Sequence, residues 1–508
     1  ENEIFASSKG TATATLYAGE ADAENILGKI IVTVEGDAKS KPMPESVKIE
    51  PVLNGSGYLS TLDSGLLELN PNMTIDLGAI TSVEPWYCTG VRFTYATTNP
   101  AVVSVSGGKI TTHKKGTAYV TVTAVGYERV TKSIKITVGS DFNITNYYLY
   151  DYYGGPEVVI PDDLNVMYLD DEAFKNNTTI TSVVLPKTLT EIPEEAFMGC
   201  TNLKRVVIPS ECTVIGERAF SGCVSLETLV LEKFTDKVNN AQSTGALTVG
   251  KYAFENCRSL KNIENQQRIT TAYDYAFTGC VGLESIDLSG LRVGGEYVFN
   301  NCTSLSDVTT DENTYIGPYM FKGCTSLAEF EIKSSRVNDG AFYGCTNLAS
   351  VTFSADEVYY IGGYAFYGAA VSEITLPGGN YPIGEYAFGA CKNLETVNLS
   401  ADTVFDKSKL SPFDGCDKLT AFTVPAEHTL YTADNGILYN KTKTVLELVP
   451  YGFTGSVTVP AGVTAIGDGA FAGIKNLESI DLSGIVSVGA YAFAGSGLTS
   501  LKLDSAEK

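Results

Sequence analysis

The sequence predicts a mainly β protein, in which an N-terminal β-sandwich region precedes a solenoid of about thirteen repeats. A segment of the form A-F-x-G-C-x-x-L recurs along the chain, and each copy leads into alternating apolar residues typical of a strand with one buried face. The first 140 residues lack this segment and hold short alternating runs separated by turn residues. A chain of 508 residues is also longer than a domain with a single hydrophobic core usually is, so several domains or an elongated repeat structure are expected.

Composition disfavours several classes of function. Asp plus Glu number 59 against 36 Lys plus Arg, a net charge of −23, which disfavours nucleic acid or an anionic membrane surface as partner. No run of 18 apolar residues occurs, so no membrane span is expected. The two histidines, His113 and His428, have no matched partners nearby and are predicted at the surface. We therefore expect no metal site, no cofactor and no enzymatic activity.

Residues 65–139 are predicted to form a β-sandwich. They contain N-P-A-V-x-x-V, G-x-I and G-T-A-x-V-T-V-T-A, and these elements resemble bacterial immunoglobulin-like domains of group 2. The resemblance implies a spacer domain, while residues 84–88 depart from that family's usual approach to the N-P motif. Strand-like runs in residues 1–64 predict a small β domain or an extension of the next domain.

A domain boundary is expected near residue 140, because charge and pattern both change there. Residues 1–140 carry 12 basic and 14 acidic residues, a net of −2, and residues 141–508 carry 24 and 45, a net of −21. Residues 140–155 contain five tyrosines, and we predict that this segment links the domains and covers the apolar end of the first repeat. An aromatic platform for a sugar is the alternative interpretation.

The repeat unit reads A-F-x-G-C-x-x-L-x-x-V-x-L-P and ends in V-x-x-I-G. Its alternating part predicts a short strand, and A-F-x-G-C, which is too short for a stable helix, predicts a single helical turn. A single unit cannot bury its own apolar side, so we expect the units to stack around a continuous core. The thirteen anchor phenylalanines are Phe174, Phe197, Phe220, Phe254, Phe277, Phe299, Phe321, Phe342, Phe366, Phe388, Phe413, Phe471 and Phe493.

Nine of the eleven cysteines lie three residues after an anchor phenylalanine. A residue that recurs once per repeat is a packing position before it is a cross-link, and cysteine behaves as a small buried hydrophobe. We therefore predict free, buried thiols rather than disulfides or a ladder of metal ligands.

Two gaps between anchor phenylalanines measure 34 and 58 residues, where most measure 21 to 25. They predict inserts near residues 232–247 and 426–456. In the second insert, apolar residues 437–439 and 445–448 flank a polar turn, so we expect a β-hairpin there. The preceding Asp434-Asn435-Gly436 segment lacks the other ligands of a calcium loop and predicts a turn.

The repeat resembles a known family. The A-F-x-G-C-x-x-L unit, with L-x-x-I-x-L-P and I-G-x-x-A-F, resembles the BspA-like leucine-rich repeats of bacterial surface proteins. The D-N-G-I-L-Y-N hairpin and the I-G-D-G-A-F segment after it are similar to that family too. The resemblance covers residues 156–508. It implies a leucine-rich-repeat solenoid that binds host matrix proteins or other cells, and it implies no catalytic motif.

Two further patterns have structural and functional interpretations. Residues 245–251 match the start of a phosphate-binding loop, but Tyr252 stands where a Ser or Thr should hold Mg²⁺, so we expect no nucleotide there. Tyrosines two residues before an anchor phenylalanine predict a stacked ladder on the outer side, and a binding stripe is the alternative. The seven tyrosines are Tyr252, Tyr275, Tyr297, Tyr319, Tyr364, Tyr386 and Tyr491.

The strand positions on either side of the buried middle residue should point away from the core. Early repeats place valines at these positions and central repeats place carboxylates there. We treat this surface as a candidate ligand face, and a merely solvated face is an equal alternative. The candidate residues are Asp287, Asp307, Glu329, Glu331, Glu373, Val184, Val207 and Val230.

These observations favour a non-enzymatic bacterial binding protein, secreted or held at the cell surface. We expect a monomer that binds host or bacterial surface proteins, including matrix glycoproteins, with an N-terminal lipid anchor outside this chain. A structural stalk or surface-layer component without a ligand is the first alternative. A glycan-acting enzyme using Glu329 and Glu331 is the second, which we disfavour because a flat strand face lacks the opposed walls of such sites.

Overall fold

The computed structural model describes residues 10–17, 26–34, 43–49, 53–54, 57–58, 66–69, 71–86, 88–235, 242–243, 245–354, 358–379, 382–405 and 411–499. The chain divides into two compact units. One consists of Glu1–Asn143 with Tyr152–Gly154, and the other of Ile144–Asp151 with Gly155–Lys508. Among the described residues, no helix has both the length and the apolarity needed to cross a bilayer.

The first unit is made of short, mostly antiparallel strands. One sheet has the order Leu66–Leu69, Thr131–Val138, Gly116–Ala124, Phe93–Thr97. The other elements are Gly10–Tyr17, Ile26–Val34, Ser46–Ile49, Leu53–Asn54, Gly57–Tyr58, Thr74–Asp76, Thr81–Glu84, Val103–Ser106, Lys109–Thr112 and the α-helix Leu77–Ile80. Val120 and Ile134 of the four-stranded sheet share a core with Val103 and Ile110 of a second sheet. The immunoglobulin-like assignment of this region remains a prediction.

The second unit is a β-solenoid, as the repeats predict, and its turns supply strands to two rows. The first row carries the L-x-x-V-x-L segments: Glu157–Val159, Ser182–Val184, Arg205–Ile208, Thr228–Leu231, Asn262–Glu264, Ser285–Asp287, Asp307–Thr309, Glu329–Ile332, Ser350–Phe353, Glu373–Thr375, Thr396–Asn398, Ala421–Thr423, Thr454–Thr458 and Asn476–Asp481. The second row carries the V-x-x-I-G segments: Tyr168–Leu169, Glu191–Ile192, Val214–Ile215, Leu247–Val249, Ile269–Ala272, Val293–Gly294, Arg336–Val337, Tyr360–Ile361, Pro382–Ile383, Val404–Phe405, Val445–Leu448, Ala465–Ile466 and Ser487–Val488. Parallel pairing joins neighbouring strands within successive blocks of each row, and the longest block of the first row runs from Glu157–Val159 to Asn262–Glu264.

Several further elements lie outside the two rows. The strand Tyr148–Tyr152 pairs in parallel with Tyr168–Leu169 and thereby joins the tyrosine-rich segment to the second row. The others are the strands Phe142–Thr145, Phe234–Thr235, Gln242–Ser243, Tyr431–Asp434 and Ile437–Asn440, and the 3₁₀ turns Asp162–Leu164 and Gln266–Arg268.

The anchor phenylalanines form the spine of the core. Successive rings from Phe174 to Phe413 stack with centroids 4.8 to 5.9 Å apart. The turn that carries each ring is tied to the next, as where Phe197 N–H donates to Ala219 O at 2.8 Å. This stacking requires one phenylalanine per turn, which explains the periodicity of the sequence.

The glycine of A-F-x-G-C is required by backbone conformation. Gly279 has φ +73°, in the left-handed region that residues with a Cβ rarely adopt. Three repeats place asparagine at the same position, Asn176, Asn256 and Asn301, with φ +57° to +58°, and one repeat places Ala390 there with φ +53°. Asparagine tolerates this region better than most residues, so the Gly/Asn choice follows from the shape of the turn.

The repeat cysteines pack in the core, as predicted, and all eleven cysteines are buried free thiols. Each of the nine in-register thiols donates to the carbonyl of the phenylalanine one turn earlier, at 2.9 to 3.3 Å. Burial raises the pKa of Cys345 to about 12, so the thiolate required for oxidation or metal binding is suppressed at neutral pH. Cysteine therefore serves here as a small side chain that carries one donor.

The predicted hairpin in the second insert is confirmed and extended. Ile437–Asn440 pairs antiparallel with Val445–Leu448, and also with Tyr431–Asp434 across a turn at Asn435 and Gly436. Both turn residues have positive φ, as a two-residue hairpin turn requires. The first insert contains the antiparallel pair Phe234–Thr235 and Gln242–Ser243, while its residues 236–241 and 244 lie outside the described residues.

The second insert also completes one more turn of the solenoid. Val449 is fully buried, and its N–H donates to Ala470 O at 2.9 Å, the bond that an anchor phenylalanine makes elsewhere. Val445–Leu448 pairs in parallel with Ala465–Ile466 in the second row. With the thirteen phenylalanine turns this gives fourteen turns, one more than the phenylalanine count alone predicts.

Arg268 is fully buried inside the solenoid next to the first insert. Its five N–H groups donate to five backbone carbonyls and to no carboxylate. The acceptors are Gly245 O at 3.1 Å from Nε, Pro209 O at 3.2 Å and Glu232 O at 2.9 Å from Nη1, and Ser210 O at 3.0 Å and Cys212 O at 2.7 Å from Nη2. The guanidinium thus joins carbonyls on both sides of the insert to the preceding turn. Sequence patterns did not indicate this residue, because an isolated arginine usually lies at the surface.

Candidate binding face of the solenoid

The first-row strands bury their middle residues and turn the flanking residues to the opposite side, which we call the outer face. Parallel pairing and the repeat register align these outward residues in two columns. The first column contains Glu157, Ser182, Arg205, Thr228, Asn262, Ser285, Asp307, Glu329, Ser350, Glu373, Thr396 and Ala421. The second column contains Val159, Val184, Val207, Val230, Glu264, Asp287, Thr309, Glu331, Thr352, Thr375, Asn398 and Thr423.

The valine end of the outer face is less open than predicted. Val159 is 58% exposed and Val184 half-buried, but Val207 and Val230 are only 6% and 9% exposed. The expectation that these two side chains are exposed is therefore wrong. They lie in register with valines on neighbouring strands, and β-branched side chains at strand spacing cover one another. The four valines of the second column therefore form an apolar ridge in which Val159 is the most exposed residue.

The predicted acidic residues divide between the two columns. Asp307, Glu329 and Glu373 are exposed in the first column, whereas Glu331 is exposed and Asp287 half-buried in the second. A serine separates Glu329 from Glu373, and a threonine separates Asp287 from Glu331. The carboxylates therefore form two interrupted lines over neighbouring turns instead of one continuous strip.

Local partners restrain Asp287 and Glu331, the predicted carboxylates of the second column. Gln267 Nε2 donates to Asp287 Oδ2 at 2.5 Å. Lys333 Nζ lies 3.3 Å from Glu331 Oε2. Hydrogen bonds from Ser354 and Lys333 lower the pKa of Glu331, so this carboxyl stays charged at neutral pH. Lys333 also compensates part of the negative charge at that position.

Beyond the acidic turns, the outer face becomes a hydrogen-bonded polar ladder. Asn398 Nδ2 donates to Glu373 Oε1 at 2.6 Å and to Thr375 Oγ1 at 3.4 Å. The hydroxyl of Thr423 donates to Asn398 Oδ1. These bonds fix the side chains in one arrangement, which lowers the entropy that a partner would otherwise remove on binding.

Stacking is confirmed for six of the seven predicted tyrosines, on the side of the solenoid that carries the A-F-x-G-C turns, which we call the turn side. Tyr491 is 82% exposed and does not stack on another described ring. Neighbouring ring centroids are 4.8 to 5.0 Å apart in two runs, Tyr252–Tyr275–Tyr297–Tyr319 and Tyr364–Tyr386. Burial against neighbours raises the pKa of Tyr275 and Tyr297, so their hydroxyls remain neutral. The rings cover each other's faces, and a sugar stacks on an open face. The geometry therefore favours packing over a sugar-binding stripe along these runs.

The two histidines occupy different environments. His113 Nε2 lies 2.8 Å from Ser104 Oγ at a partly buried site. His428 is fully buried, so the prediction of a surface position is wrong for this residue. Its Nδ1 accepts the N–H groups of Leu430 at 3.1 Å and Tyr431 at 3.2 Å, and thereby shapes the loop that leads into the hairpin. Sequence spacing could not reveal this role, because the accepted groups belong to the backbone.

We expect His428 to make the solenoid acid-sensitive. Burial lowers its pKa, while the Thr403 carbonyl and Asp402 act in the opposite direction and Lys441 adds to the lowering. The unfolded chain therefore binds the proton first, and stability falls as the pH drops below the unfolded value of about 6.5. The urea midpoint should decrease between pH 7.5 and 5.5.

The matched variants are His428→Asn, which keeps an acceptor near the Nδ1 position, and His113→Asn in the other unit. We expect His428→Asn to flatten the pH dependence of the solenoid transition and His113→Asn to leave it unchanged. An unchanged slope in His428→Asn would show that other groups titrate.

The described residues contain no cluster of three or more His, Cys, Asp or Glu side chains placed to hold a metal ion. The segment that resembles a phosphate-binding loop follows the repeat register, since Leu247–Val249 is a second-row strand and Gly250 opens the turn before Phe254. The surfaces of this unit that we consider further as binding sites are therefore the outer face and the turn side.

Comparison with known families identifies the repeat. Residues 131–242, 241–338, 314–444 and 453–508 match the model of the BspA type leucine rich repeat region. The chain belongs to this family. Leucine-rich-repeat proteins typically bind other proteins, and relatives with BspA-type repeats are proteins of bacterial cell surfaces.

Several solved structures are similar to this BspA-type protein. A leucine-rich repeat protein from Bacteroides ovatus is 23% identical, with 70% of this chain and 90% of that chain covered and a TM-score of 0.45. A leucine rich cell surface protein from Faecalibacterium prausnitzii is 20% identical, with coverage of 72% and 74% and a TM-score of 0.22. An internalin from Listeria monocytogenes is 13% identical, with coverage of 53% and 86% and a TM-score of 0.21. No curated protein matches the sequence.

Proposed function

We propose that this chain is a non-enzymatic bacterial surface protein whose solenoid binds a protein partner through the outer face. The observation that carries the proposal is the set of exposed carboxylates Asp307, Glu329 and Glu373, which lie in the first column within four successive turns. Like charges on nearby strands repel, and the core does not require them. A surface that keeps them close together is suited to a partner of opposite charge.

The chemistry of the outer face defines the partner. Carboxylates at its centre and fixed Asn and Thr groups beyond them match a protein surface rich in Lys, Arg and amide groups. Host matrix proteins and the surface proteins of other cells are the partner classes we propose, with the protein acting as a monomer at the bacterial cell surface. Binding should weaken with added salt, because exposed charges are screened.

The alternatives predict different behaviour. A stalk or surface-layer component would bind none of these partners, although its outer face would look the same. A glycan-acting enzyme would need two carboxylates on opposite sides of a substrate, and Glu329 and Glu331 project from the same side of one strand. The flat arrangement disfavours glycosidic cleavage at this pair.

Charge reversal on the outer face tests the proposal. We expect the variant Glu329→Lys, Glu331→Lys, Glu373→Lys to fold normally and to bind its partner about tenfold or more weakly, because like charges then meet across the interface. The measurement is surface plasmon resonance against immobilised host matrix proteins and surface extracts of bacterial cells, at two salt concentrations.

The matched control places the same charge change on the turn side, as Glu255→Lys, Glu296→Lys, Glu385→Lys. This variant should bind like the parent. If the outer-face variant binds as strongly as the parent, the carboxylates only solvate the surface. If the parent binds no partner in either source, the stalk interpretation replaces the proposal.

A further inference from the structure

The tyrosine ladder is interrupted near the second insert. It stops at Tyr386 and resumes at Tyr491, and the equivalent positions of the intervening turns hold Ser411, Glu447 and Gly469. Three successive turns therefore lack an aromatic ring at this position. Parallel strands lie about 4.8 Å apart, so the missing rungs leave space for a molecule rather than for a single water.

The structure contains a cavity at this interruption, with a volume of about 590 Å³. Tyr386 and Tyr491, the ladder positions before and after the interruption, both line it, and Tyr431 and Tyr451 of the second insert add further aromatic walls. A Cβ at Gly473 would lie only 2.8 Å from Cε1 of Tyr451, so glycine keeps this part of the wall open. The volume falls in the range of about 300–1,000 Å³ that is usual for small-molecule sites.

The cavity is acidic as well as aromatic. Asp414, Glu447 and Asp468 line it, and none of the described residues in its lining is basic. The N–H of Ala490 donates to Asp468 Oδ1 at 2.7 Å and holds that carboxylate in place. Burial and the nearby Asp414 carboxylate raise the pKa of Tyr451, so the tyrosine hydroxyl remains neutral.

We propose that this cavity binds a small organic cation with a flat apolar body, an arylalkylamine in chemical class. Its ring would take the place of the missing rungs between the tyrosines. Its ammonium group would lie near the three carboxylates, where tyrosine faces also attract a cation. The site lies on the turn side and does not depend on protein binding at the outer face.

Isothermal titration calorimetry of the full chain at low ionic strength tests the ligand class. The probe is phenethylamine, with phenylacetate as the ring-matched anion and ethylamine as the cation without a ring. We expect phenethylamine to bind at least tenfold more tightly than either of the other two. Absence of phenethylamine binding, or equal binding of phenylacetate, would overturn the proposal.

Two variants locate the binding. Glu447→Gln with Asp468→Asn should weaken phenethylamine binding at least fivefold and leave the fold intact. Gly469→Tyr should abolish it by restoring a ring. Gly469 has φ +63°, close to the +51° to +59° of the ladder tyrosines, and a Cβ there would meet only Ala472 Cβ at 3.9 Å.

The matched control is Glu195→Tyr, which adds a tyrosine at the same register position in a distant turn with φ +57°. It should bind phenethylamine like the parent. If Gly469→Tyr retains parental binding while its melting temperature shows a folded protein, the amine binds elsewhere and the proposal is wrong. If Gly469→Tyr fails to fold, the double variant Glu447→Gln, Asp468→Asn tests the proposal instead, and parental phenethylamine binding by that variant would contradict it.

Discussion

Arg268→Met is expected to destabilise the solenoid by about 3–5 kcal/mol, because it leaves buried carbonyls without their donor. The guanidinium uses all five N–H groups on backbone acceptors, and those acceptors lie on both sides of the first insert. Methionine fills similar space but donates nothing. Since repeat arrays lose structure locally, the effect should be largest in the turns next to the insert.

Hydrogen–deuterium exchange with a urea titration measures this effect. Peptides from 205–231 and 247–272 should exchange faster in Arg268→Met, while peptides from 454–481 should not change. The control is Arg292→Met, because Arg292 is exposed and pairs with Asp311 at 2.9 Å, a contact worth about 0–1 kcal/mol. Equal and small effects of the two variants would contradict a supporting role for Arg268.

Phe277→Ala should cost about 3–5 kcal/mol, since removal of a buried aromatic side chain leaves a cavity that the stack cannot close. The ring is fully buried, with its centroid 5.1 Å from that of Phe254 and 5.3 Å from that of Phe299. Both neighbours are fixed by their own turns. The change should appear as a lower urea midpoint and faster exchange in the adjoining turns.

The matched control for Phe277→Ala is Tyr275→Ala in the same turn. The Tyr275 ring stacks on Tyr252 and Tyr297 at 5.0 and 4.9 Å, but on the turn side of the solenoid. Loss of this partly exposed stack should cost about 0.5–1.5 kcal/mol. A larger loss for Tyr275→Ala than for Phe277→Ala would show that the tyrosine ladder, and not the phenylalanine spine, holds the turns together.

The repeat periodicity predicted the solenoid because the stacking of anchor phenylalanines between turns determines both the spacing in the sequence and the fold. An anchor phenylalanine stacks only if the next turn carries another at the same height, so Phe277 implies Phe299 and the strand between them. The cysteine three residues later follows for the same reason, since Cys302 Sγ donates to Phe277 O. Elements fixed by contacts between equivalent residues are therefore visible in the sequence.

Features that depend on contacts between residues at different positions of the repeat, or outside it, could not be predicted from the sequence. Val207 alternates like an exposed residue, and only the neighbouring valines bury it. His428 and Arg268 bind backbone groups distant in the sequence or outside the repeat pattern, and no side-chain motif records such bonds. Val449 replaces an anchor phenylalanine, so a search for the aromatic residue passes over its turn.

The candidate site was predicted in part. Alternation indicated which residues face outward, and Glu329 and Glu373 lie exposed as expected. It could not show that Lys333 would pair with Glu331 or that Asn398 would bind Glu373, because both depend on side-chain rotamers. The cavity near the second insert was missed because it arises from absent tyrosines, and a motif search finds residues that are present.

Carbodiimide labelling of carboxylates, with and without a bound protein partner, tests most directly whether the outer face is the binding surface. Mass spectrometry then reports which carboxylates the partner protects. We expect protection of Asp307, Glu329 and Glu373 on the outer face and none at Glu255 and Glu296 on the turn side. Protection confined to the turn side, or no protection on the outer face in a stable complex, would contradict the account.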